Sequence, residues 1–176
     1  MDQLDIQDER LTAETIEKYS AERVAHLARL AARGFNRALA RRLALHEISF
    51  GQWLFLRILW AGDGITQKQL SLKADLTEPT VHTSIKKLEL NGIVERKTQG
   101  ANKKKLFVFL TAKGWALQKK LEPLAVEANT KGLASLSANE ITCLRKCLAL
   151  MVQNLDEDER EGEKLGVKQP ATRQLK

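Results

Sequence analysis

The sequence predicts a mainly α-helical protein with a small two- or three-stranded β element near its middle, and three observations predict it. Apolar residues recur every three or four positions over most of the chain, the period of helices that bury one face. A Ser or Thr followed three residues later by Gln or Glu, the spacing of a capping box, stands at Ser49 and Gln52, Thr66 and Gln69, and Ser137 and Glu140. Two short runs alone read as strands, Ile93 to Thr98 and Leu106 to Leu110, and the polar segment QGANKKK joins them.

Taken in order, residues 1–19 read as an N-terminal extension, the first dozen without a strong period. A helical pattern runs from Thr12, or from Ser20, a candidate N-cap, to about His46, carried by Val24, Leu27, Ala31, Phe35, Ala38 and Leu39. A second helix follows Ser49 and is apolar all round (Phe50, Trp53, Leu54, Phe55, Leu56, Ile58, Leu59, Trp60), as buried helices are. Gly62 and Gly64 bracket its end. A third helix opens at Thr66 and closes near Ala74 or Asp75. After a short turn, Thr77 caps a fourth, with Pro79 in its first turn where the missing N–H does no harm. Its buried stripe is Val81, Ile85 and Leu88, and Asn91-Gly92 ends it. Beyond the hairpin, Thr111 caps a helix to about Lys131 that Pro123 should kink. Ser137 opens the last helix, to about Asp156, with the stripe Ile141, Leu144, Leu148, Met151 and Leu155 spaced 3-4-3-4 as a coiled-coil seam requires. The charged remainder, residues 157–176, reads as a disordered tail.

Composition narrows the function classes. Of the 176 residues, 43% are hydrophobic, enough for a packed core, and 29 Lys and Arg against 22 Asp and Glu leave a net charge of +7. Thr66 to Lys105 alone holds nine bases against four acids, so the excess is concentrated on one segment. Such an excess points to a polyanionic partner. The acidic, polar opening MDQLDIQDER lacks a signal-peptide pattern, and no apolar run is long enough to span a membrane; a cytoplasmic location is expected. Cys143 and Cys147 are too few for a disulfide framework, and His26, His46 and His82 do not cluster at ligand spacing, so neither metal nor cofactor is expected. No nucleophile–base pair, phosphate loop or carboxylate pair indicates an enzyme.

The constellation that carries function is helix, short turn, helix, strand, basic loop, strand: a winged helix-turn-helix pattern over residues 49–111. The helix after the turn presents Thr77, Pro79, Thr80, His82, Thr83, Lys86 and Lys87 away from its core stripe, and such a face fits the major groove of duplex DNA. Asn102, Lys103, Lys104 and Lys105 occupy the position of a wing that would follow the phosphate backbone or enter the minor groove. The rival readings are an architectural DNA binder with little sequence preference and a winged-helix adaptor that binds protein.

QKQLSLKADLTEPTVHTSIKKLELNGIVERK (Gln67 to Lys97), followed by LFVFLTAKG (Leu106 to Gly114), resembles the MarR family of transcription regulators, and the resemblance extends from about Ser20 to Leu155. It implies an obligate homodimer built from residues 20–48 and 112–156, with two winged modules on a pseudo-palindromic operator, and repression relieved by a small effector. The family's wing usually carries Asp-x-Arg before the returning strand, whereas this chain has Asn102-Lys103-Lys104. Lysine is a hydrated point charge rather than a planar fork, so narrow-groove readout should be weaker. The resemblance also places an effector near the first two helices, where Phe35, His46, Phe50, Trp53 and Trp60 lie with Arg33 and Arg37 of a basic ridge completed by Arg29 and Arg41. An aromatic acid or its coenzyme A thioester would suit both features; the plain alternative is core packing for the aromatics and a solvated face for the arginines. Cys143 and Cys147 read as buried packing rather than as redox sensors.

Overall fold

The computed structural model describes residues 13–98 and 105–167, and the chain divides by its internal contacts into two compact units, Met1–Phe50 and Gly51–Lys176. In the first unit, residues 13–19 form helix α1 and Val24–Ala44 form α2. The helix expected from Ser20 opens at Val24 instead, and a pattern taken from Thr12 is broken into two helices. The Ser20 hydroxyl donates to the Glu17 carbonyl at 2.8 Å, three residues back, so Ser20 closes one helix instead of opening the next. Arg23 stands at the N-cap of α2 and makes no side-chain cap bond. Leu39 and Leu43 of α2, and Ile48 beyond it, are buried.

The second unit holds most of α3 (Phe50–Ala61), then β1 (Ile65–Thr66), α4 (Gln67–Ala74), α5 (Glu78–Leu90), β2 (Val94–Thr98), β3 (Leu106–Leu110), α6 (Ala112–Gly132) and α7 (Ala138–Lys164). The three strands form one antiparallel sheet in the order β1-β3-β2, with Val94 opposite Leu110, Thr98 opposite Leu106 and Ile65 opposite Val108. β1 sets the strand number at three. Its two residues are too short to show alternation in sequence, and its place depends on Gly64. That glycine has φ +71°, and a Cβ on it would lie 2.8 Å from the Phe109 ring, so left-handed backbone and close approach coincide there.

The core of this unit is Phe55, Leu56 and Leu59 of α3, Leu70 of α4, Val81, Ile85 and Leu88 of α5, Val94 and Val108 of the sheet and Leu121 of α6, all buried. α4 packs on α5 and the sheet, α5 on β2, and α6 on β3. Burying such side chains contributes about 1.5–3 kcal/mol each before chain entropy is counted. Helix α6 continues through Pro123 without interruption.

Helix α7 runs eight residues beyond the expected end at Asp156, through DEDEREGEK to Lys164. The charged run was expected to unfold for want of apolar surface, but Glu, Arg and Lys are good helix formers, and a helix already nucleated adds them at little cost. The helix closes at Gly166, φ +74°, where the Val167 and Gly166 amides return to the Gly162 and Glu163 carbonyls. No residue of α7 is buried. Among the described residues no helix is long and apolar enough to cross a membrane.

Candidate nucleic-acid interface

Helix α4 opens with the predicted capping box: the Thr66 hydroxyl accepts from the Gln69 amide at 3.2 Å and the Gln69 side chain accepts from the Thr66 amide at 2.8 Å. It closes at Asp75, whose φ of +50° turns the chain sharply toward α5. Thr77 stands at the N-cap of α5 but caps no backbone amide; its hydroxyl pairs with that of Thr80 at 2.9 Å. Val81, Ile85 and Leu88 turn inward, whereas Thr77, Pro79, Thr80, His82, Thr83, Lys86 and Lys87 are all exposed. The structure thus gathers the predicted residues of this helix on one continuous face. Thr83 donates its hydroxyl hydrogen to the Pro79 carbonyl at 3.0 Å, so outward it offers lone pairs and a methyl group. That suits the amino groups of adenine or cytosine and the methyl of thymine.

Lys105 is exposed at the foot of β3, while Asn102, Lys103 and Lys104 lie outside the described residues. Lys68 and Lys105 both line a cleft of about 660 Å³ between the start of α4 and β3, which Glu78 at the start of α5 also borders. Neither Lys86 nor Lys87 has an ion-pair partner among the described residues.

Two features that position this face were not legible in the sequence. Glu89, near the end of α5, takes both the side chain and the backbone amide of Arg96 in β2: Nε at 3.0 Å and Nη2 on one carboxylate oxygen, the amide at 3.2 Å on the other. Arg96, one of the nine bases between Thr66 and Lys105, is thus a brace between helix and hairpin. Its hydrogen bond holds the Glu89 carboxyl below the usual range and the Arg96 guanidinium above its own. A depressed carboxylate pKa stabilises the fold above the unfolded value, about 4.3, and that contribution is lost as pH falls through the folded value. Glu89→Gln should therefore cost about 1 kcal/mol at pH 7, discounted for partial exposure. The gap from the parent should narrow as pH falls below the unfolded carboxylate value; urea denaturation giving the same gap at neutral and at acid pH would refute the brace.

The second feature is the meaning of Thr111, Lys113 and Gly114 in the motif LTAKG. The Thr111 hydroxyl donates to the Gly92 carbonyl at 2.7 Å and accepts from the Gly114 amide at 3.1 Å, while the Thr111 amide donates to Ile93. Lys113 Nζ donates to the Asn91 carbonyl at 2.9 Å. Gly114 lies so close to the Ile93 carbonyl that a Cβ would meet it at 2.3 Å, and its own carbonyl accepts the buried Trp60 indole N–H at 3.1 Å. The motif fastens the first turn of α6 to the end of α5. Asp63 adds a further support, accepting the Leu110 amide at 3.0 Å.

The residues named for an effector fall differently. Trp53 and Trp60 are buried edge to face, 5.5 Å apart, and pack the core. Phe35 and Phe50 are half-buried, and Arg33, Arg37 and His46 are exposed. Cys143 and Cys147 are exposed rather than buried, because α7 buries nothing within one chain. The hydrogen bond to Cys147 pushes the Cys143 thiol up, the opposite of an activated thiolate. Among the described residues no three His, Cys, Asp or Glu side chains group as metal ligands.

A helix pair joined by a left-handed turn, a polar exposed second helix and a three-stranded sheet behind it define a winged helix-turn-helix protein. Residues 48–106 match the sequence model of the MarR family. The structure superposes on a MarR transcriptional regulator from Methanosarcina mazei Go1 with a TM-score of 0.69 and 25% identity, covering 76% of this chain and 90% of that one. The chain is thus similar to the MarR family in sequence over residues 48–106 and in fold over most of its length. It is 31% identical over 125 residues to the HTH-type transcriptional regulator TtmR of Methylorubrum extorquens, covering 71% of this chain and 63% of TtmR. It also shares the fold of the Mycobacterium tuberculosis MarR family protein Rv2887, solved in complex with DNA, at a TM-score of 0.65 and 24% identity over 73% of this chain and 97% of that one.

Proposed function

We propose that the chain is a homodimeric, sequence-specific DNA-binding transcription regulator, a repressor released from a pseudo-palindromic operator by a small effector. The observation that carries the DNA reading is the exposed face of α5, with hydroxyls, His82 and two unpaired lysines beside a basic hairpin. A DNA complex of the similar protein Rv2887 supports it. Residues 49–111 form the reading module; residues 20–48 and 112–156 form the dimer arm, with Ile141, Leu144, Leu148, Met151 and Leu155 as its seam. Leu144 and Leu148 stand 38% and 43% exposed in the single chain, apolar surface that a partner would remove from water. Arg29, Arg33, Arg37 and Arg41 are all exposed along α2 and would receive an anionic effector such as an aromatic acid or its coenzyme A thioester.

Duplexes selected from a random pool test the reading. The parent should prefer its selected duplex over random DNA by roughly 10³-fold or more, where an architectural binder would not and an adaptor would scarcely bind. Half-sites should lie roughly 34–36 Å apart. Thr80→Ala and Thr83→Ala should erode that preference, whereas Lys105→Ala should weaken binding to every sequence and reduce the salt slope by about 0.9 for each phosphate no longer neutralised. Unchanged discrimination in both threonine variants would show that α5 is not the reader.

A further inference from the structure

Helix α7 carries two cysteines, Cys143 and Cys147, that the DNA-facing surface does not use, and both are exposed thiols. Four residues apart on one helix, they share a face, and their thiols hydrogen-bond to each other. Helix geometry keeps Cβ atoms at this spacing about 5–6 Å apart, whereas a disulfide needs about 3.5–4.5 Å. The two sulfurs therefore cannot join directly while the helix stays intact, but a single atom bonded to both can span them. The hydrogen bond to Cys147 raises the Cys143 thiol, so Cys143 meets a reagent as S–H and is a poor target for peroxide.

The number of ligands and their spacing decide what the spanning atom is. Structural zinc takes four ligands, and among the described residues no third Cys, His, Asp or Glu joins the pair. Glu140, one turn back, is already engaged: its carboxylate accepts from the Ser137 amide and hydroxyl at 2.8 and 2.7 Å. A two-coordinate ion such as copper(I) holds its sulfurs on opposite sides, and here they are in contact. Trivalent arsenic bearing one organic group meets both limits, because it is a pyramidal centre that needs two sulfurs on the same side. Leu150, three residues beyond Cys147 and 48% exposed, offers apolar surface to the organic group. We propose that Cys143 and Cys147 form a dithiol site for monosubstituted trivalent arsenicals. Binding is a condensation in which nothing is oxidised or reduced. Two As–S bonds form, the arsenic–oxide bond breaks, and the oxygen leaves as water with the two thiol protons. The site stands on α7 alone and does not depend on the regulator reading above.

Phenylarsine oxide titrated into the reduced, DNA-free full chain tests the site, with remaining thiols counted colorimetrically and the adduct weighed by intact mass. One arsenical per chain should consume both thiols, and 1,2-ethanedithiol should strip it where 2-mercaptoethanol at equal thiol concentration does not. Cys143→Ser or Cys147→Ser should weaken binding roughly 10²-fold or more, because the second bond is no longer intramolecular. Cys147→Ser with Arg145→Cys keeps two exposed thiols but turns them to different faces, and should bind no better than the single variants. All these side chains are exposed, so circular dichroism should match the parent's. Affinity equal to the parent's in any of the three variants, or no adduct on the parent, overturns the site. Inorganic arsenite, which takes a third sulfur, should be held more weakly than phenylarsine oxide; arsenite held as tightly would overturn the two-thiol assignment. Leu150→Gln should narrow the parent's preference for phenylarsine over methylarsine oxide, and an unchanged preference would remove Leu150 from the site.

Discussion

Gly114→Ala is expected to lower the melting temperature by roughly 6–12 °C. The added Cβ would lie 2.3 Å from the Ile93 carbonyl oxygen and 2.9 Å from a Leu110 methyl carbon, and the first of these is backbone that cannot rotate aside. Overpacking of this kind costs about 3 kcal/mol, and each kcal/mol moves the midpoint by about 2–4 °C in a chain of this size. Gly51→Ala is the matched control. It stands in the first turn of α3 with nothing within 4 Å of its added Cβ, so it should gain about 0.5–1 kcal/mol from the reduced freedom of the unfolded chain. Thermal melts of the two variants beside the parent decide the matter. A Gly114→Ala protein melting within a degree or two of the parent would mean that α6 does not approach Ile93 as described.

Leu148→Asp is expected to yield a folded monomer. In the single chain Leu148 is 43% exposed, so an aspartate there is solvated and the protomer should tolerate it. In the proposed seam the same side chain would be buried twice per dimer among apolar neighbours, and an unpaired carboxylate in such a place costs several kcal/mol. A loss of about 4.1 kcal/mol is a thousandfold in the dissociation constant. Light scattering across a concentration series should show the variant monomeric where the parent is dimeric, with circular dichroism unchanged. A well-folded variant that remains dimeric would remove α7 from the interface.

Local signals made the helices readable. Thr66 with Gln69 and Ser137 with Glu140 form the capping boxes that their spacing announces, and Gly92 ends α5 in the left-handed conformation expected of it. Where the sequence misled, a short-range competitor or a long-range partner decided. Ser20 is as good a hydrogen-bond donor to the helix behind it as an acceptor for the one ahead, and only its bond to Glu17 shows which it chose. The acid run after Asp156 has no apolar face to reveal a helix, yet it needs none once α7 is under way. Within the site, the exposed face of α5 followed from the 3-4 spacing of its core stripe. Its supports did not: Glu89 and Arg96 belong to different elements, and Asp63 meets the Leu110 amide 47 residues on. The tryptophans read equally as core packing or as a ligand box, because an aromatic run has the same composition whether it fills a cavity or lines one; Trp60 packs the core.

The fastening at Thr111, Lys113 and Gly114 makes α5 the short arm of a lever whose long arm is α6. The backbone carbonyls of Asn91, Gly92 and Ile93, in the turn that follows α5, are held by the first turn of α6, so α5 has little freedom to re-aim by itself. A helix of 21 residues is about 31 Å long. Tilting it by about 5° about its far end would carry its first turn roughly 2.7 Å sideways, close to the rise of one base pair (about 3.4 Å). Register on DNA would then be set by the slope of a helix that never touches a base.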